Sequence, residues 1–123
     1  MKDINEAMRN LKENEKELLW EMANPHPNDT GLPSMLQSLY DGKHRVSHAA
    51  RVKVDTLNFG LVPIQIDPEV KLLKSMQHKN FQSQDLKNIN AAIEYIKMNR
   101  DLFMKHWNGE ITDKELLNSL PHI

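Results

Sequence analysis

The chain has 123 residues, 27% of them charged, with 16 basic against 17 acidic side chains and a formal net charge of -1. That size allows one domain with its own core, and the near balance of charge excludes a DNA-mimicking acidic surface and a strong electrostatic role for the molecule as a whole. The absence of cysteine excludes disulfides, thiol catalysis and cysteine-ligated zinc, and no run reaches the about 20 apolar residues of a membrane span.

Residues 1–23 are expected to form an N-terminal amphipathic helix. Ile4, Ala7, Met8, Leu11, Leu18, Leu19 and Met22 recur at helical spacing, interrupted at Asn14 and Glu15, and Asp3 and Glu6 suit a first turn. Trp20 lies off that stripe, where it either covers the edge of the core or meets a partner. The opening MKDINEAMRN lacks the apolar core of a signal peptide, so the expectation is a cytoplasmic protein without membrane contact. Residues 24–33, NPHPNDTGLP, crowd proline, glycine, asparagine and aspartate without periodicity. They read as a linker loop, with His26 a solvated member, that leaves the first helix free to pack back or to reach a second subunit.

Residues 34–123 are expected to form an α+β domain. Three strands are predicted, at 34–40, 50–54 and 61–66. Asp41-Gly42 suits a tight hairpin turn after the first. Ala50, Val52 and Val54 alternate with Arg51 and Lys53 in the second, and Val62, Ile64 and Ile66 share a face in the third. Pro63 cannot donate to a ladder, which places the third strand at an edge or at a bend. Asp67-Pro68-Glu69 has the form of a helix opening, yet it follows directly on a strand.

The stretch from Ser83 to Thr112 carries the clearest pattern and reads as one long C-terminal helix across the small antiparallel sheet. Leu86, Ile89, Ile93, Ile96, Phe103 and Trp107 step by three and four, with Ala92 beside them. Arg100, next to Asn99, occupies a position that this spacing reserves for an apolar side chain. Either its stem packs and its head reaches solvent, or it is a buried anchor for a loop or ligand. Asn99, Arg100 and Trp107 are therefore the candidate structural anchor. Asn108-Gly109 ends the helix, Thr112 and Glu115 form a capping box for a short terminal helix, and Pro121 stops it.

Chemistry is harder to place. Lys43, His44, Arg45, His48, Arg51 and Lys53 form a basic cluster that is either the polar face of a half-solvated sheet or a binding surface for phosphate groups. Aromatic residues that would stack bases are not interleaved with it. His44 and His48 would share a face only on a helix, and no other histidines show ligand spacing, so no metal site and no cofactor is expected. Ser38 and Ser47 have histidines near in sequence, but no nucleophile elbow accompanies them. Phosphate-binding and dinucleotide glycine motifs are missing too, and no catalytic residue is assigned.

TGLP at Thr30–Pro33, RVKV at Arg51–Val54 and IKMNRDLFMKHWNGEI at Ile96–Ile111 carry a resemblance. In that order they resemble a family of small uncharacterised bacterial proteins in which a TGLP-type start, a histidine-preceded RVKV or RIKV strand and a terminal NRxxLxxxWNGEI segment recur. The likeness spans about Thr30 to Leu120. More distantly the chain is similar to small bacterial domains of unknown function linked to toxin-antitoxin pairs. The resemblance implies an α+β fold with residues 67–76 extended, and it supplies no catalytic positions. VDTLNFGLVP, Met98 and His106 depart from the pattern. The function expected is a non-enzymatic protein-interaction or regulatory component of a mobile-element, defence or toxin-antitoxin system, with a protein partner or self-association. The alternative is nucleic-acid binding by the basic cluster, with small-nuclease chemistry at His44 and His48.

Overall fold

A computed structural model describes residues 22–39 and 49–123. Valine and isoleucine at every second position put one apolar face on each of the two longest strands, and that face organises the fold. The strands are β1 (Met22–Ala23), β2 (Leu36–Leu39), β3 (Arg51–Thr56), β4 (Gly60–Gln65) and β5 (Lys71–Leu72). They form one antiparallel sheet in the order β1-β2-β3-β4-β5. Leu36, Val52, Val54, Val62 and Ile64 are buried on its inner face. Arg51 lies opposite Gln65, and Lys53 opposite Pro63, on the outer one.

The expected α+β class holds, with a sheet of five strands in place of three. The two extra strands are two residues each, too short for an alternating pattern to register. Met22 and Ala23, expected at the end of the first helix, are strand residues facing Leu39 and Ser38; the rest of that predicted helix lies outside the described residues, as does the predicted turn at Asp41-Gly42. Pro63 is tolerated because β5 reaches only Ile64 and Gln65. Its carbonyl accepts from Leu73 N–H at 3.4 Å, and no donor is demanded of it there. Residues 67–76 hold a cis Asp67-Pro68 peptide, β5 and a 3-10 turn at Lys74–Met76, with no α-helix.

The helices pack on the inner face. They are α1 (Pro27–Thr30), α2 (Ser83–Met98), α3 (Arg100–Trp107) and α4 (Asp113–Ser119). α2 lies against β3 and β5, α3 against β2, and α4 against β1 and α3. Ile89, Ala92, Tyr95, Ile96, Phe103, Trp107, Leu116 and Leu120 close the core over the strands. No helix among the described residues is long and apolar enough to cross a membrane.

The single helix expected over 83–112 is two helices, broken at Asn99. The apolar spacing runs through this residue, so periodicity does not reveal the break. Asn99 adopts φ -121° and ψ 24°, and its side-chain amide donates to Tyr95 O at 2.9 Å. A side chain that bonds the carbonyl four residues back competes with the regular ladder. Asn99 O then accepts from Leu102 and Phe103, which starts α3 in a new direction. Leu86, expected on the buried stripe, is exposed, whereas Asp85 and Asn88 are buried. The anticipated capping box is present: Thr112 Oγ1 accepts from Glu115 N–H at 3.1 Å, and Glu115 Oε1 from Thr112 N–H at 3.2 Å.

The stretch expected as a linker is built into the domain. It contains α1, and Leu32 beyond it sits in the core. Thr30 Oγ1 accepts from Leu32 N–H at 3.1 Å. Gly31 takes φ +82°, and a side chain there would run into the Ile123 carbonyl. The chain end is strapped to this turn, because Ile123 N–H donates to Thr30 O and Tyr95 Oη–H donates to Pro121 O at 2.6 Å. Burial, and then the nearby charge of Asp29, push the Tyr95 phenol up to about 12.

Candidate functional site

Four members of the basic cluster, Lys43, His44, Arg45 and His48, lie outside the described residues. The remaining two stand on the outer face of β3. Arg51 Nε donates to Ala49 O at 3.3 Å, and Lys53 faces Gln37 on one side and Pro63 on the other. Asp55 follows on the same face, so the strand presents two cations and an anion in sequence.

Arg100 reaches back to the sheet end. Its Nε donates to Ile66 O at 2.6 Å and its terminal nitrogen to Asp67 Oδ1 at 2.9 Å. The guanidinium thus ties the start of α3 to the strand that runs out of β4, while Trp107 is buried at the other end of the same helix. Asn99 supplies the break that aims Arg100 there.

Sequence spacing did not reveal a chain of polar side chains beneath α3. Ser38 Oγ lies 2.8 Å from His106 Nδ1, and His106 Nε2 lies 2.5 Å from Asp113 Oδ1. A carboxylate only accepts, so Nε2 carries the ring proton toward Asp113, and Nδ1 accepts the serine hydroxyl. These residue types are those of a hydrolytic triad, but the serine is 1% exposed and the ring fully buried. A nucleophile must touch its substrate, and this hydroxyl is sealed beneath the helices. What the chain of contacts does is bolt β2, α3 and α4 together. Ser38 and His106 are 68 positions apart, and no local pattern links them.

At the opposite end of the inner layer, the β3–β4 hairpin turns through Leu57, Asn58 and Phe59. Gly60, at φ +64°, supplies the left-handed residue that a three-residue hairpin loop requires. Thr56 Oγ1 donates to Gly60 O at 2.8 Å and accepts from Phe59 N–H at 3.1 Å. The tip is also latched to α2: Asp85 accepts from Asn58 Nδ2 at 2.8 Å and from Asn58 N–H at 3.3 Å. Its second role is to cap α2 through Gln82 N–H at 3.2 Å. The Asn58 side-chain donor, foremost, holds the Asp85 carboxyl below the usual aspartate range; desolvation opposes this, and the Asn58, Gln82 and Leu57 amides add to it.

This clasped turn faces outward with apolar side chains. Leu57 is 80% exposed, and Phe59 and Leu61 each more than a third. Phe59 meets Phe81 edge to face at a centroid distance of 4.7 Å, which fixes one wall of the tip. Beside it opens a cleft of about 530 Å³ between the hairpin, α2 and the turn after α1. Pro27, Met35 and Leu57 give it apolar walls, and Ser34, Asp55 and Asn88 give it polar ones. Among the described residues the buried Ser34 hydroxyl has no hydrogen-bond partner. Among the described residues, no three histidine, aspartate or glutamate side chains are placed to hold a metal ion.

No protein family, curated protein or solved structure matches the chain.

Proposed function

We propose that the protein is a non-enzymatic interaction module whose docking surface is the apolar tip of the β3–β4 hairpin. The observation that carries this reading is the pairing of exposure with rigidity. Leu57 projects 80% exposed from a turn that Thr56, Asn58 and Asp85 hold in one conformation. Single exposed leucines are ordinary on protein surfaces. Three large apolar residues within five positions at the hairpin tip, braced by polar bonds, form a surface whose ordering cost is already met before a partner arrives. Burying Leu57 alone offers about 2 kcal/mol. The resemblance of the TGLP, RVKV and WNGEI segments supports a regulatory place for such a module in a mobile-element, defence or toxin-antitoxin system.

The test is native mass spectrometry of the protein purified from cells that make it, beside Leu57→Ser with Leu61→Ser. Both forms fold with the same melting temperature, and only the unaltered protein carries a second protein or a second copy of itself. Identical masses for the two would overturn the reading.

Nucleic-acid binding is the second reading, and it draws on Arg51 and Lys53 sharing the outer sheet face. Arg51→Ala with Lys53→Ala would then weaken binding and flatten its salt dependence. An absence of binding to single- or double-stranded oligonucleotides at low salt removes it.

A further inference from the structure

The hairpin tip has a basic margin. Leu73 N–H donates to Pro63 O at 3.4 Å and Phe81 meets Phe59, so residues 73–81 run beside β4 from its middle to the tip. Residues 70–84 hold three lysines and, apart from them, no charged side chain. Lys71 is paired with Glu69, whereas Lys74 and Lys79 are exposed and meet no carboxylate among the described residues. An apolar centre of Leu57, Phe59 and Leu61 therefore adjoins a segment with two lysines that lack a counter-charge.

The complementary pattern occurs in the same chain. In residues 13–21, ENEKELLWE, Leu18, Leu19 and Trp20 stand among four glutamates and a single lysine. These residues lie outside the described ones, but the point where they join the fold is fixed, because they lead into Met22 of β1. Met22 faces Leu39, and the register of β2 on β3 carries Leu39 to the level of Arg51. Leu57 is six positions beyond Arg51 and two strands over, about 20 Å along the sheet and about 10 Å across it. The Trp20 Cα is held within about 7 Å of Met22 by two residues of chain. β1 also runs toward the tip, so the chain before it arrives from the opposite end. Trp20 therefore falls short of the tip of its own copy, and the tip of another copy is open to it.

We infer that the partner of the hairpin tip is a second copy of this chain, which seats Leu19 and Trp20 on Leu57, Phe59 and Leu61 and sets its flanking glutamates against Lys74 and Lys79. The inference rests on the interaction reading above and names the partner. A tryptophan supplies the large apolar anchor on which interfaces depend, and the opposed charges fix its orientation and make the contact sensitive to salt. Each copy carries one surface of each kind at opposite ends of its sheet. The contact is thus head to tail, and it repeats from copy to copy until a ring closes or a chain of copies extends.

The experiment is sedimentation equilibrium of the full chain, of Leu57→Ser, of Trp20→Ser and of an equimolar mixture of the two variants. The unaltered protein should gain mass with concentration beyond one copy, and each variant alone should stay at one copy. The mixture should reach the mass of two copies and stop there, because it holds one intact tip and one intact Trp20 segment. Lys74→Glu with Lys79→Glu should weaken assembly of the full chain at least about tenfold. Should Leu57→Ser or Trp20→Ser fail to fold, that lysine pair and Glu15→Lys with Glu17→Lys replace them; each alone stays at one copy, and mixing them restores assembly because the charges are exchanged. A mass of one copy for the unaltered protein up to its solubility limit, a mixture that stays at one copy, or a Trp20→Ser protein that assembles like the parent overturns the inference. The interaction reading is tested separately by the complex that Leu57→Ser with Leu61→Ser abolishes. A second protein in that complex, beside a chain that stays at one copy on its own, removes self-docking and leaves the tip standing; one copy and no complex removes both.

Discussion

Replacing His106 by leucine tests whether the buried polar chain is a strut. Leucine roughly matches the volume of histidine but supplies neither the bond to Ser38 nor that to Asp113. Ser38 then keeps a hydroxyl in a site with 1% exposure and no partner, at a cost of about 1–3 kcal/mol. The bond to the Asp113 carboxylate is lost as well. Asp113 stands partly in solvent and recovers water, so this second loss falls near the low end of the about 1.5–3 kcal/mol for hydrogen bonds to charged groups. Together these give about 2–4 kcal/mol, a fall in melting temperature of roughly 10 °C for a domain of this size. The distinguishing result comes from Ser38→Ala. Alone it costs about 1 kcal/mol, but in the His106→Leu background it removes an orphaned hydroxyl and restores stability, a coupling that independent sites do not show. Urea unfolding followed by far-ultraviolet circular dichroism reads all four proteins. A His106→Leu protein within about 0.5 kcal/mol of the parent, or a Ser38→Ala cost that simply adds, would refute the strut.

Three further outcomes follow from the fold. Gly31→Ala combines a left-handed backbone with a collision against the Ile123 carbonyl, and should cost at least about 1–2 kcal/mol while raising amide exchange at Ile123; unchanged exchange would contradict the strap. Arg100→Met keeps the stem and removes the donors to Ile66 and Asp67, for a loss of about 1–2 kcal/mol in thermal or urea unfolding. The hairpin latch should depend on acid. Because the folded Asp85 carboxyl lies below its ordinary value of 3.8, its contribution is complete above that value and is lost as pH falls through the folded one. NMR signals of Asn58 should therefore broaden or shift below about pH 4 in the parent, and the change should be absent in Asp85→Asn.

The parts of this fold legible in the sequence are those where one local pattern decides the structure. Val52 with Val54, and Val62 with Ile64, mark β3 and β4 by alternation, and Thr112 with Glu115 marks the start of α4 by side chains that bond within one turn. The break at Asn99 was hidden because Ile96, Phe103 and Trp107 keep helical spacing across it. Asp85 displaced Leu86 from the buried face for a reason 27 residues away, the Asn58 latch. The candidate surfaces were the least legible. The hairpin tip lies between the strands expected at 50–54 and 61–66, where no local pattern marks an exposed apolar turn, and the cleft draws on segments around residues 27, 34, 55 and 88 that no spacing rule connects. Arg51 and Lys53 were read as outward residues of a strand, and they stand on the outer face of β3.

The central claim is that Leu57 meets another protein chain. A photo-crosslinking amino acid placed at position 57 in the cells that make the protein tests it, with the same residue at exposed Lys87 as the reference. A discrete adduct of one mass at position 57, lost on Leu61→Ser and missing at position 87, is the result the account predicts. Equal and diffuse labelling at both positions would contradict it.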